Sequence, residues 1–205
     1  MTKTRSFASV LVAGAFSVIA LSSVSTASAV PIPYYAVLDG PSEPTVSPGT
    51  GWALVTYDST LHSLSVHVAF QDLLAGVTAS HIHCCTALPG VGTAGVATPT
   101  PTFPGFPSGV TSGTYDRVFD LTLSSSFNAA FITGHGGTTA SAEAALASGL
   151  AAGDAYLNIH TTAFPGGEIR GFLVVPEPES IALFGVGLCG LLASRRRRLL
   201  PALTR

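Results

Sequence analysis

The segment Leu64-Ser65-Val66-His67-Val68-Ala69-Phe70 limits what this chain can become more than any other. Its large apolar side chains fall on every second residue. That period suits a half-buried strand, with Leu64, Val66, Val68 and Phe70 on the packed face. Similar short runs recur between turn clusters. Tyr34 to Leu38 is stopped by Asp39-Gly40-Pro41, and Trp52 to Tyr57 is followed by a turn over Asp58 to Ser63. Ala79 to Cys85, Arg117 to Leu123, Ala155 to His160 and Ile169 to Val175 complete the set. Many short strands between turn signals predict an all-β fold, an antiparallel β-sandwich. One stretch breaks the period. Thr138 to Ala152 is alanine-rich and reads as a short helix, with Thr138 or Thr139 as its cap and Gly153 as its end.

The core must hold this fold without long-range disulfides. Of three cysteines, Cys84 and Cys85 are adjacent and Cys189 lies near the C-terminus. Thr86 to Thr114 carries no charged residue and is rich in Gly, Pro and Thr. So long a loop inside a compact domain is functional or mobile, and its uncharged surface offers a place for contacts. Phe103 and Phe106 imply that part of it packs down.

Both chain ends read as addresses. Lys3 and Arg5, the apolar run Phe7 to Leu21 and the small-residue site Ala27-Ser28-Ala29 form a secretory signal peptide, cleaved after Ala29. At the other end, Pro176-Glu177-Pro178 leads into thirteen mainly apolar residues, Ile181 to Ala193, and then Arg195, Arg196, Arg197 and Arg198. Such a run rises only ~20 Å as a helix against a hydrocarbon core of ~30 Å, which suits a transient inner-membrane anchor. The arginines stay cytoplasmic. This segment resembles the PEP-CTERM sorting tail of bacterial exported proteins. The resemblance implies recognition by an exosortase-type protease, removal of the tail, and delivery to the cell surface or extracellular matrix.

Three divisions follow: 1–29 as signal, 30–175 as the exported domain and 176–205 as the sorting segment. Within the exported domain nine acids oppose only Arg117 and Arg170, a net charge of −7. Phosphate backbones and anionic bilayers are repelled by such a surface, so nucleic acid is not an expected partner.

Polar residues gather in two places. In the hairpin Tyr156 to Gly171, alternation sets Asn158 and His160 on one face, with Glu168 and Arg170 beside them on the partner strand. His81-Ile82-His83 puts two imidazoles on one strand face, and Cys85 joins them if the strand continues. His81, His83 and His160 together have the makings of a metal site, for Cu or Zn, with Glu168 as a fourth ligand or as a supporting partner. The same residues also read as a structural hydrogen-bond network. Tyr34, Tyr35 and Trp52 are either a carbohydrate-stacking platform or packing residues. No Gly-x-Ser-x-Gly elbow, phosphate-binding glycine loop or Cys-x-x-Cys pair is present in the sequence.

Three blocks, Ala79-Ser80-His81-Ile82-His83, Tyr156-Leu157-Asn158-Ile159-His160-Thr161 and Pro165-Gly166-Gly167-Glu168-Ile169-Arg170-Gly171, resemble the signature segments of the CHRD domain. That domain is named for chordin and occurs in many bacterial exported proteins. The resemblance implies an extracellular β-sandwich with Greek-key, superoxide-dismutase-like or immunoglobulin-like topology. Cys84-Cys85 departs from the family pattern, where a small residue is usual. A His-x-His strand in a sandwich is also similar to the copper–zinc superoxide dismutases, but two arginines cannot supply their positive guide. The expectation is a non-enzymatic surface or matrix module binding an extracellular polysaccharide or other matrix component, with no cofactor. The alternative is a Cu- or Zn-binding surface protein or enzyme.

Overall fold

The computed structural model describes residues 30–175. The expected signal peptide and sorting tail, with Pro176, Glu177, Pro178 and Arg195 to Arg198, lie outside the described residues. Among the described residues no helix is long and apolar enough to cross a membrane.

Seven strands form one antiparallel sheet. They are β1 (Ile32–Asp39), β2 (Thr50–Asp58), β3 (Ser63–Gln71), β4 (Val77–His83), β5 (Gly113–Asp120), β6 (Tyr156–Thr161) and β7 (Ile169–Phe172). The order is β4-β6-β7-β1-β2-β3-β5, so the first strand is central. The sheet curls into a half-barrel, and its concave face carries the core. Leu38, Val55, Val66, Val68, Ile82, Leu157, Ile159 and Ile169 are all buried there. The alternation of Leu64 to Phe70 appears as expected, with Leu64, Val66, Val68 and Phe70 inside.

Two helices, α1 (Ala129–Gly134) and α2 (Thr139–Ala152), pack onto this core through Phe131, Leu146 and Leu150. Helix α2 keeps its expected boundaries. The Thr138 side chain accepts from Ser141 N, the Ser141 hydroxyl answers at the Thr138 N–H, and Gly153 closes the helix at φ 75°. Tyr57 on β2 donates to Glu143 of α2 at 2.9 Å. Cys84 and Cys85 are disulfide-bonded to each other and rest on α2 at Gly149, where a Cβ would overlap both sulfurs. Helix α1 is only six residues long and carries no strong periodic signal, so its sequence does not announce it.

The long uncharged segment is a structural part of the fold. It lies along the free edge of β4, with Ala97 N donating to Ile82 O at 2.9 Å and Phe103 N to Ser80 O at 3.0 Å. It then reaches the other edge strand, where Tyr115 and Arg117 of β5 donate to Pro104 O at 3.2 and 3.1 Å. The two open edges of the curled sheet are thereby joined and covered. Phe103 and Phe106 are buried among Phe70, Tyr115 and Phe119. The segment packs down through Ala97, Thr98, Phe103 and Phe106, while Leu88, Val91 and Val110 stay exposed.

On the convex face, cross-strand register aligns His81, Asn158, Arg170, Asp39, Thr50 and Gln71 in one row that spans six of the seven strands. Both functional candidates described below lie on that face.

Candidate metal centre

Strand alternation does what the spacing promised. His81 and His83 project from the convex face of β4, and Ile82 turns into the core at 0 % exposure. Strand β6 is paired beside β4, with Ala79 opposite His160, and brings that third imidazole across. The ring centroids are 5.8 Å apart for His81 and His83, 5.3 Å for His81 and His160, and 6.0 Å for His83 and His160. One ring nitrogen from each lies within 4.8 Å of those of the other two.

Hydrogen bonding sorts the six nitrogens. His81 Nε2 lies 2.6 Å from Pro101 O, His83 Nδ1 2.9 Å from Ala94 O, and His160 Nδ1 2.9 Å from Pro165 O. A carbonyl oxygen can only accept, so each of these nitrogens carries the proton. The remaining nitrogens, His81 Nδ1, His83 Nε2 and His160 Nε2, are buried without a partner among the described residues. In a neutral imidazole that second nitrogen offers a lone pair. Backbone carbonyls therefore fix three tautomers and leave one lone pair on each of three neighbouring rings. This is the supporting-shell arrangement that metal-ligating histidines use.

Burial favours the neutral form. It holds the pKa values of His81 and His160 below the usual histidine range and pushes His83 down to about 4. His83 also stacks face to face on Tyr156, 4.8 Å between centroids and 4° between planes. Tetrahedral zinc at ~2.0–2.1 Å from each nitrogen needs the nitrogens roughly 3.4 Å apart.

The other expected members divide. Asn158 and Arg170 occupy the same face as His81. Arg170 donates to Ser42 O and, at 3.2 Å, to Gly92 O, pairs with Glu43 at 3.1 Å, and lies 5.0 Å over the Tyr156 ring. Asn158 Nδ2 reaches Glu43 at 3.4 Å. The carboxylate of this network is Glu43. Desolvation raises its pKa, with Arg170 and Asn158 opposing. Its trace in the sequence is faint, a lone acid between Pro41 and Pro44.

Glu168 does not join the row and is not placed to be a fourth ligand. Gly167 sits at φ 131°, which breaks the alternation ahead of β7. The Glu168 carboxylate turns to the opposite side, where it accepts from Ser47 Oγ at 2.5 Å, Leu74 N at 2.6 Å and Thr161 Oγ1 at 2.6 Å. Cys85 does not join either. Strand β4 ends at His83, and the Cys85 sulfur faces Ala145 of α2.

Two family models match the chain. The family model for the CHRD domain matches residues 34–173. That for the PEP-CTERM protein-sorting motif matches residues 174–198. No curated protein and no solved structure matches the chain.

Proposed function

The chain belongs to the CHRD domain family and ends in a PEP-CTERM sorting motif, and from that premise we propose that it is an exported, non-enzymatic metal-binding module of the cell surface or extracellular matrix. The motif directs an exported protein through an exosortase-type system by way of a transient membrane anchor. Within the domain, His81, His83 and His160 hold one Zn²⁺ or Cu²⁺ ion.

One observation carries the metal reading. Three buried ring nitrogens that have no partner among the described residues come from three histidines whose other nitrogens are all committed to backbone carbonyls. A purely structural network would spend those lone pairs on donors, since a buried unpaired acceptor costs about 1–3 kcal/mol. Three neutral imidazoles with no thiolate suit Zn²⁺ and Cu²⁺, and suit Ca²⁺ or Mg²⁺ poorly. A binding role is favoured over catalysis because Arg170 and Glu43 are paired with each other, and Asp39, the next charge in the row, accepts from Ser42 N. Neither of the paired groups is free to shuttle a proton.

The test is elemental analysis of the full chain purified in mild detergent. Near-stoichiometric zinc or copper is expected in the wild type, and none in a His81→Ala/His83→Ala variant. A wild type that holds no metal after exposure to either ion rules the reading out. The matrix half is tested separately, by whether the protein cofractionates with the surface matrix in its host.

A further inference from the structure

We propose that the convex face of β1, β2, β3 and β5 is a binding site for a neutral glycan chain, with Trp52 and Tyr35 as its platform. The inference rests on the matrix half of the proposed function and is independent of the metal.

Alternation turns Tyr34 into the core and leaves Tyr35 outside at 39 % exposure. Tyr35 and Trp52 lie nearly parallel, 21° between planes and 6.4 Å between centroids. Trp52 continues onto His67 at 4.8 Å. Three rings thus tile adjacent strands, and His67 is held by Asp116 of β5. Register sets Val37 opposite Trp52 and Leu54 opposite both Tyr35 and His67. Val37 is 60 % exposed and Leu54 37 %. Beside Trp52 opens a groove of about 570 Å³, lined also by Thr50, Gln71, Ser112 and Thr114.

The chemistry of this face selects the occupant. Flat, immobile aromatic faces match the C–H faces of pyranose rings, and the groove's hydroxyls and amide match sugar hydroxyls. The groove lining contains no cation, and the domain's net charge of −7 repels polyanions. Charge complementarity therefore points to an uncharged chain and away from sulfated or uronic-acid polymers. The groove is open, so it suits an internal stretch of a polymer.

Trp52 is the only tryptophan in the sequence, so its emission reports on this face alone. The full chain in mild detergent is titrated with cellohexaose, laminarihexaose and maltohexaose, with dextran sulfate as the polyanion control. A saturable shift in emission is expected with at least one neutral hexasaccharide. Tyr35→Ala should weaken that response roughly tenfold while metal content stays unchanged. His81→Ala/His83→Ala should leave it intact. No response to any neutral probe, or a stronger response to dextran sulfate, overturns the site. So does sedimentation as a dimer that Tyr35→Ala dissociates, because a second copy would then cover the face. These outcomes leave matrix cofractionation untouched, so the two ideas fail separately.

Discussion

One face of one sheet is treated in two ways. Over β4, β6 and β7 it is roofed. The carbonyls of Ala94 and Pro101 come down on the histidines, and Ser42 and Gly92 close over Arg170. Over β1, β2, β3 and β5 the same face is bare, and Tyr35, Val37, Leu54 and Val118 meet solvent. The difference lies less in the strands than in the chain that connects them. The segment after β4 crosses one half of the face and leaves the other open. Roofing converts polar side chains into a rigid, dehydrated cluster suited to a small ion, and bareness keeps a flat surface suited to a large partner.

The comparison is tested most severely by removing the roof. Deleting residues 99–107 withdraws Phe103 and Phe106 from the core, and each buried phenylalanine is worth about 3–5 kcal/mol on truncation. Global unfolding is expected, seen as loss of the cooperative thermal transition. A folded, metal-loaded deletion variant would show that the segment is a dispensable flap.

Next in size is Arg170→Ala. It strands the half-buried Glu43 and unties two covering segments, which should cost about 3–5 kcal/mol in chemical denaturation. A shift as small as that of a surface substitution would mean that the loops hold themselves in place.

Acid should act on the roofed half at a related scale. In the metal-free protein the folded state binds fewer protons than the unfolded one between about pH 4 and about 6.5, because burial lowers the His83 pKa to about 4. The His83 contribution is fully present above that window and is lost as pH falls through it, to the extent of about 3 kcal/mol. His81 and His160 shift in the same direction and add to the slope. Urea titrations at several pH values, repeated on His83→Gln, measure this. An unchanged pH slope in the variant would remove His83 as its source.

Smallest of all are changes on the bare half. Val37→Thr and Val118→Thr, at 60 % and 66 % exposure, should alter stability by no more than about 0.5 kcal/mol. A larger loss would reveal that this face is covered in solution.

The sequence was most legible where period and chemistry coincide. Alternation placed the strands from Tyr34 to Phe70 and turned Ile82 inward between two outward histidines. Thr138 and Gly153 marked α2 because capping is local chemistry. His81, His83 and His160 could be grouped because strand neighbours two apart and across a pair are fixed by geometry. Glu168 was misread because Gly167 interrupts the alternation, and backbone sign changes at glycine leave no trace in hydrophobic pattern. Glu43 was missed because its role depends on where a proline-flanked loop lands. The start of β5, Gly113 to Asp116, was hidden since only Tyr115 in it faces the core. The pairing of residues 97–104 along the sheet edges has no trace in the sequence because edge covering is a tertiary fact.

The placement of β1 has a consequence for the order of events during export. The first strand to leave the membrane is central in the sheet, and one of its two neighbours is the last, β7. Tyr35 and Val174 close this junction with backbone bonds of 2.7 and 3.0 Å. Long-range pairings of this kind form late, after the whole intervening chain is available. The histidine half is joined to β1 through β7, so it settles into the sheet only when the chain up to residue 175 is available to pair. The proposed ion would therefore meet a finished site only after β7 has paired with β1, so that metal uptake would be a closing step of folding and not its trigger.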